Sequence, residues 1–550
     1  MRSVTQEEAA PVATRARERA ARSRASSVSR AELRGVLAWT LAAFALRLAV
    51  LVCFEQVISP DGVEYVAHAR SFAAGDFVNG MSTYWPPLYP ALIGLASFVF
   101  RDVEFAGRFV SVVTGALLVL PTHKLARLWY GRKVALLCAA LVALHPLLVY
   151  YSTTLLTEST YTLLFTCGVL AGWSALKGTR RRTYALAGAV FGACYLLKPE
   201  AFGFVLLLVA MVFVRTLLMK SRLQRMKARL RHSSVACALL LVLGFFAVAS
   251  PQILYNRRQT GEWLLSGKTD GHILQGARSA GGDASVAHGL VPPDASTAFV
   301  RLAKALRFEY EIFNLIFPTV FVLLVALGLF RRRWTRARML RELYLLAFAA
   351  SALAGYAVTL PNIRFLAPLV PLLLCWVSKG VSEFAAWPRE PLARTRAGSS
   401  LAARVESFAA PLVVALLVVS LAPLFVYLMR GDKWGDYHAQ KRAGLFMRER
   451  ESKEGARALT VMATVPVAAF YAGGRNVFVT GEEDYDSLVA RARSEGAAYV
   501  VVNEREFRNM DSLRSLLDAR AEHRDLRLVR EFGESAGQRV LLYEVEGVGR

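Results

Sequence analysis

The charged side chains most able to do chemistry in this sequence stand where long apolar runs end: Asp61, Glu64, Glu158, Lys198, Glu200, Arg257, Arg258 and Arg364. Asp61 follows the apolar run Val36–Val57 near the start of the segment SPDGVEYVAHARSFAAGDFVNGMSTYWPPLYP, which runs from Ser59 to Pro90. A carboxylate placed there can act as a general base on an acceptor hydroxyl or amine. Fixed cations such as Lys198 in YLLKPEAF and Arg364 in LPNIRFLAPLVP suit a phosphate whose charge grows as its bond breaks. An ion in the middle of a membrane helix costs about 2.5 to 3.5 kcal/mol on insertion scales, so charges retained beside apolar spans need a partner or a task.

Each of these residues also has a purely structural reading. Asp61 suits the N-cap of a helix over Gly62–Ala73, and Glu158 suits the first turn of a span, where the helix dipole favours an acid. Lys198 and Arg364 could snorkel to phospholipid headgroups, with Pro199 and Pro361 breaking their helices. Tyr84, Trp85 and Tyr89 suit an interfacial aromatic belt.

The elements that must position these residues follow from composition. The 550 residues are 55% hydrophobic yet carry a formal net charge of +25. Apolar runs of about 20 residues, each enough to cross roughly 30 Å of hydrocarbon, recur along the chain, and inside a bilayer such runs must be helical. Candidate spans lie near 36–57, 105–126, 134–151, 156–176, 183–197, 201–218, 234–254, 311–330, 342–360, 363–380 and 409–429, about eleven in all. The fold class expected is mostly α, a polytopic membrane protein, with charges concentrated at one face and span centres largely apolar. Lys and Arg cluster between spans as the positive-inside rule expects, so the charge implies no nucleic acid. Those clusters put the N-terminus in the cytoplasm and the C-terminus outside, in the inner (plasma) membrane. Residues 1–33 read as a disordered basic cytoplasmic tail, not a cleavable signal. Residues 34–430 form the membrane domain, with outer loops at 58–104 and 255–309. Cys53, Cys138, Cys167, Cys194, Cys237 and Cys375 fall within spans and suit packing, without metal-site spacing.

Beyond the last span, residues 431–550 alternate β-rich runs (Leu459–Ala463, Asn476–Thr480, Ala498–Asn503, Leu526–Phe532, Val540–Val545) with helical stretches at Ser487–Ser494 and Met510–Ala519. This is the pattern of a small extracytoplasmic α/β domain able to bury its own core. It has no phosphate loop, triad spacing or metal motif, so a supporting or acceptor-guiding role is expected.

In order along the chain, Asp61 with Tyr65, the run ending at Gly75, Pro86–Pro90, Ala106–Phe109, His145-Pro146, Tyr151-Ser152, Gly192–Pro199, Pro251–Asn256 and Arg364–Pro371 resemble the integral-membrane glycosyltransferases of the C superfamily. The similarity is to bacterial protein O-mannosyltransferases, lipid A aminoarabinose transferases and lipopolysaccharide-core glycosyltransferases. Phe470–Gly473 and Ala498–Val502 resemble the soluble end of many such proteins. The resemblance implies inverting transfer of a sugar from a polyprenyl-phosphate donor on the extracytoplasmic face. Asp61 would be the base and Glu158 a second acid orienting acceptor or metal. Lys198 and Arg364, with the adjacent Arg257 and Arg258, would bind the lipid phosphate, and Tyr65, Tyr84, Trp85 and Tyr89 would contact sugar or acceptor. Aminoarabinose transferases carry Glu-Lys-Pro where Tyr84-Trp85-Pro86 stands here, which argues against that substrate. A divalent cation stays open, as does the acceptor: protein, lipid or glycan. Acceptor choice would depend on the C-terminal domain and the outer loop, whose Gly281–Ala298 stretch reads as mobile. The competing classes are a lipid-linked-sugar flippase, which predicts polar residues near the bilayer midplane and half-repeats, and a noncatalytic envelope assembly protein.

Overall fold

The computed structural model describes residues 29–178, 180–219, 227–267, 307, 310–358, 362–386, 411–429, 435–454, 459–481, 483–533 and 538–548. The expected tail up to residue 28, most of the 255–309 loop including its Gly281–Ala298 stretch, and Pro361 lie outside these residues. The tail's expected end at residue 33 is corrected, because Ser29 caps a helix that begins at Arg30.

Among the described residues, six helices are long and apolar enough to cross a membrane: Arg30–Cys53, Val103–Tyr130, Glu158–Lys177, Ser234–Thr260, Ile363–Ala386 and Pro411–Leu428. A seventh span is counted if the pair Tyr310–Ile316 and Thr319–Phe330, bent by 84° at Pro318, is taken together. Of the other expected spans, 342–360 lies in the unbroken helix Arg336–Val358 and 201–218 in Ala201–Met219, whereas 183–197 is the shorter Arg182–Tyr195 and 134–151 is broken. The run over 134–151 splits at His145 into Arg132–Leu144 and Pro146–Tyr151, because Pro146 has no N–H to continue the ladder.

Glycines set the closest helix crossings. A Cβ at Gly188 would lie 1.9 Å from the Leu241 carbonyl oxygen, and one at Gly244 would lie 2.1 Å from that of Ala185. The same device joins Thr319–Phe330 to Val370–Ala386, where a Cβ at Gly380 would fall 1.9 Å from Leu324 O. Backbones approach this closely only where side chains are absent, which is how apolar helices gain packing energy without a hydrophobic drive between them.

Charges are not confined to one face, and one lies within a span. Arg47 is fully buried in the first helix, where Nη1 donates to Ala143 O at 2.9 Å and Nη2 to Val142 O at 3.4 Å. Its Nε donates to Ser152 Oγ at 3.1 Å. These are carbonyls left short of donors by the break at His145-Pro146, so the guanidinium completes an interrupted ladder. At the opposite end of the helices from Asp61, Glu32 pairs with Arg127, and Glu342 accepts from Tyr130 Oη at 2.6 Å and Trp376 Nε1 at 2.7 Å. Glu383 there faces Arg331 at 3.1 Å and Lys379.

The C-terminal segment builds a five-stranded sheet from β1 (Thr460–Ala463), β2 (Arg475–Phe478), β3 (Tyr499–Asn503), β4 (Leu526–Phe532) and β5 (Val540–Val545). Its order is β2-β1-β3-β5-β4, with β2, β1 and β3 parallel and β5 antiparallel to both its neighbours, β3 and β4. One face buries Leu488, Val489, Phe507 and Leu513 against Val500 and Val502. The other buries Ala439, Ala443 and Met447 of the Gly435–Glu454 helix and Ala468 against Val461 and Val501. Both faces are covered, so β3 and β5 are buried along their length and read as continuous apolar runs. Val465, Val467 and Tyr437 belong to the main apolar core, which seats this layer on the helical part.

Candidate active site

Asp61 sits in the first turn of the Pro60–Ala73 helix. Ser59 is the N-cap, its Oγ accepting from Gly62 N at 3.2 Å, which corrects the reading of Asp61 as the cap. The Asp61 carboxylate is thereby turned to another partner: Arg364 Nη1 donates to its Oδ2 at 2.7 Å. Arg364 is held by a 3-10 turn, Ile363–Leu369, whose N-cap Asn362 accepts from Arg364 N at 3.2 Å.

Glu158 opens the Glu158–Lys177 helix and is only 2% exposed. Lys198 Nζ lies 3.2 Å from its Oε1, and Arg364 Nε lies 3.9 Å from the same oxygen. Lys198 is placed by the Leu196–Glu200 turn that Pro199 enforces between two helices, and its ammonium lies over the rings of Phe365 (4.8 Å) and Tyr161 (5.4 Å). The result is an alternating row, Asp61, Arg364, Glu158, Lys198, assembled from four separate elements. Glu158 Oε2 is buried without a hydrogen-bond partner among the described residues, leaving one acceptor in the row for a hydroxyl or amine.

Beside this row the aromatics divide. Tyr84 and Trp85 keep partial exposure, with rings 4.8 Å apart. Tyr65 and Tyr89 are buried at 4% and 0% exposure and pack edge-on beneath them, Tyr65 at 5.3 Å from Trp85 and 5.4 Å from Tyr89. Tyr89 Oη donates to Gly107 O at 3.1 Å and meets Ser111 Oγ at 2.8 Å. Of the four aromatics expected to contact sugar or acceptor, Tyr65 and Tyr89 are thus buried beneath the two more accessible rings. Burial raises the phenol pKa of Tyr65 and Tyr84, and nearby Asp61 adds to it, so both remain hydrogen donors at neutral pH.

Arg257 and Arg258 are exposed at the end of the Lys227–Thr260 helix, Arg257 lying over Trp263 at 5.7 Å. None of the ion pairs joining the row involves them. Among the described residues, the buried polar side chains of that helix are Gln252 and Asn256. Gln252 Nε2 donates to Ser82 O at 2.8 Å, which ties the Trp85 loop in place, and Asn256 Nδ2 donates to Leu264 O at 3.0 Å, which holds the segment after the helix. The sequence signal for this role was a pair of amides one turn apart beside the arginines.

Among the described residues, no group of three or more His, Cys, Asp and Glu could hold a metal ion. The two acids of the row instead face a guanidinium and an ammonium, so these side chains do not fit a divalent-cation cradle as arranged.

Residues 85–253 match the family model described as dolichyl-phosphate-mannose-protein mannosyltransferase. The fold is similar to that of ArnT from Cupriavidus metallidurans in the apo state, with a TM-score of 0.58 and 14% identity over 94% of this chain and 99% of that one. ArnT from the same organism bound to undecaprenyl phosphate matches with a TM-score of 0.57, 14% identity and the same coverage of 94% and 99%. The archaeal oligosaccharyltransferase AglB from Archaeoglobus fulgidus, in complex with an inhibitory peptide and a dolichol-phosphate, matches with a TM-score of 0.52 and 13% identity over 86% of this chain and 69% of that one. No curated protein sequence matches the chain. The chain thus shares the fold of ArnT and of the archaeal oligosaccharyltransferase, and is a multi-pass membrane protein.

Proposed function

We propose that this protein transfers a sugar from a polyprenyl-phosphate donor to an acceptor on the extracytoplasmic face, with inversion at the anomeric carbon. The observation that carries this reading is the 2.7 Å contact between Asp61 and Arg364 at the end of the spans, with Lys198 and Glu158 completing the row. A displacement needs a base on one side of the sugar and stabilisation of the leaving group on the other. The similarity to structures holding undecaprenyl phosphate and dolichol-phosphate supports a lipid-linked donor.

In this mechanism the donor phosphate draws the cations of Arg364 and Lys198. Asp61, relieved of part of its hold on Arg364, accepts the acceptor's proton as the acceptor oxygen or nitrogen bonds to the sugar's C1. The bond from C1 to the phosphate oxygen breaks, and its electron pair stays on the phosphate. Glu158 Oε2 accepts a hydrogen bond from a sugar or acceptor hydroxyl, and Tyr84 and Trp85 hold the sugar face. About eleven spans, an inside N-terminus and an outside α/β domain over 431–550, in the inner membrane, complete the proposal.

The test is transfer of label from radiolabelled polyprenyl-phosphate sugars in membranes, comparing wild type with Asp61→Asn. Transfer that depends on Asp61 supports the proposal. A folded wild-type protein that moves label from no donor, or an Asp61→Asn variant with full turnover, rejects it in favour of the flippase or assembly reading.

A further inference from the structure

Asp61 is separated from the last turn of the first span by the extended stretch Phe54–Ser59, which has no helical or sheet ladder of its own. Something else must fix it, because a drift of this stretch moves the whole first turn of the Pro60–Ala73 helix. Three contacts do so. Arg108 Nη2 donates to Gln56 O at 2.7 Å, and Gln56 Nε2 donates to Thr153 Oγ1 at 2.8 Å. The third comes from the C-terminal layer: Ile58 N donates to Tyr471 Oη at 3.1 Å, and that hydroxyl donates onward to Glu104 Oε1, also at 3.1 Å. Glu104 in turn pairs with Arg108, so a closed ring joins the Asp61 approach, the Val103–Leu117 helix and the C-terminal layer.

Tyr471 is built for this place. It lies in the last turn of the short helix Val467–Ala472, which Gly473 closes with φ 73°, a left-handed conformation that glycine adopts without strain. A Cβ on Gly444 would meet Ala468 O at 2.4 Å, so the Gly435–Glu454 helix clamps Val467–Ala472 closely from behind. Lys441 on the clamping helix lies over the Tyr471 ring at 5.2 Å and reaches Glu55 at 2.6 Å, binding the same stretch from the next residue. Arg70, on the helix that carries Asp61, lies over the Phe470 ring at 5.7 Å. Burial and the Glu104 carboxylate push the Tyr471 phenol pKa up, which keeps its proton available to Glu104 at neutral pH.

We infer that Tyr471 is a positioning residue for the reaction, by which the C-terminal layer sets where Asp61 stands. The inference rests on the function proposed above, yet its structural half can be read without activity. Tyr471→Phe keeps the ring, its packing and the Lys441 contact and removes only the hydroxyl that joins Ile58 to Glu104. The full-length variant, reconstituted in lipid, is expected to show faster amide exchange confined to residues 54–62, with the sheet strands exchanging as in wild type. Its kcat is expected to fall about ten-fold to a hundred-fold, with the KM for polyprenyl-phosphate sugar within about two-fold of wild type, as displacement of a reacting group does. Unchanged exchange over residues 54–62, or exchange that rises throughout the C-terminal layer, would overturn the inference. So would unchanged kcat in a preparation where Asp61→Asn is inactive. Asp61→Asn measured in parallel reports separately on the base itself, so a failure of the proposed reaction is told apart from a failure of Tyr471's role.

Discussion

Arg364 Nη1 lies 2.7 Å from Asp61 Oδ2, although the two residues are 303 positions apart in the sequence. The contact joins the helix after the first span to a 3-10 turn at the head of Ile363–Ala386 and defines where the two halves of the proposed reaction meet.

Asp61→Asn removes the proton acceptor and keeps the side chain's shape. Turnover is expected to fall by about 10²- to 10⁴-fold, the usual contribution of a positioned base. Label transfer measured at saturating donor checks this, and turnover within a few-fold of wild type would exclude Asp61 as the base.

Arg364→Lys preserves charge and loses the planar fork that reaches both Asp61 and Glu158. The donor's apparent affinity is expected to weaken by about 1.5 to 3 kcal/mol, the worth of a hydrogen bond to a charged group. A donor titration that matches wild type would remove Arg364 from the phosphate site.

Lys198→Met strands the buried Glu158 carboxylate with Arg364 at 3.9 Å as its remaining cation in the row. Breaking a buried pair from one side costs about 3 to 5 kcal/mol. Adding Glu158→Gln is expected to recover part of this, with a coupling of about 0.5 to 3 kcal/mol in the double-mutant cycle. Strictly additive losses in unfolding experiments would show that the two do not act as a pair.

Glu64, one turn beyond Asp61, is half-buried, and burial raises its carboxyl pKa above 4.5, with Asp61 adding to the shift and His68 opposing it. A raised folded-state pKa means the folded protein holds this proton more tightly than the unfolded chain. Stability from this group is present below the unfolded carboxyl value and is lost as pH rises through the folded one. Glu64→Gln should therefore raise the thermal midpoint at pH 7 and leave it unchanged in acid below the ordinary carboxyl range. An equal shift at both pH values would show that ionisation plays no part.

Gly188→Ala and Gly203→Ala make the same change on neighbouring helices with opposite outcomes. A methyl at Gly188 meets the Leu241 carbonyl at 1.9 Å, whereas nothing lies within 4 Å of one at Gly203. The first is expected to destabilise by about 1 to 3 kcal/mol through overpacking, and the second to be neutral or stabilising by up to about 1 kcal/mol. Equal unfolding midpoints for the two variants would refute the close crossing.

The sequence by itself determined the apolar helical architecture, the five strands and their approximate limits, and the presence of acids and bases at the ends of spans. Each of these rests on local signals: uninterrupted apolar runs, β-branched clusters, and charges where hydrocarbon stops. The tertiary structure decided which of those charges meet. Arg364 and Lys198 joined Asp61 and Glu158, while the equally plausible Arg257 and Arg258 remained exposed, because helix rotation and the 3-10 turn at Ile363 are set by packing. Tyr89 and Tyr84 have similar interfacial signals, and only packing told the buried floor from the accessible ring. Arg47 was hidden for the same reason. A lone arginine in an apolar run has no local partner, and its acceptors are carbonyls freed by a break about a hundred residues away.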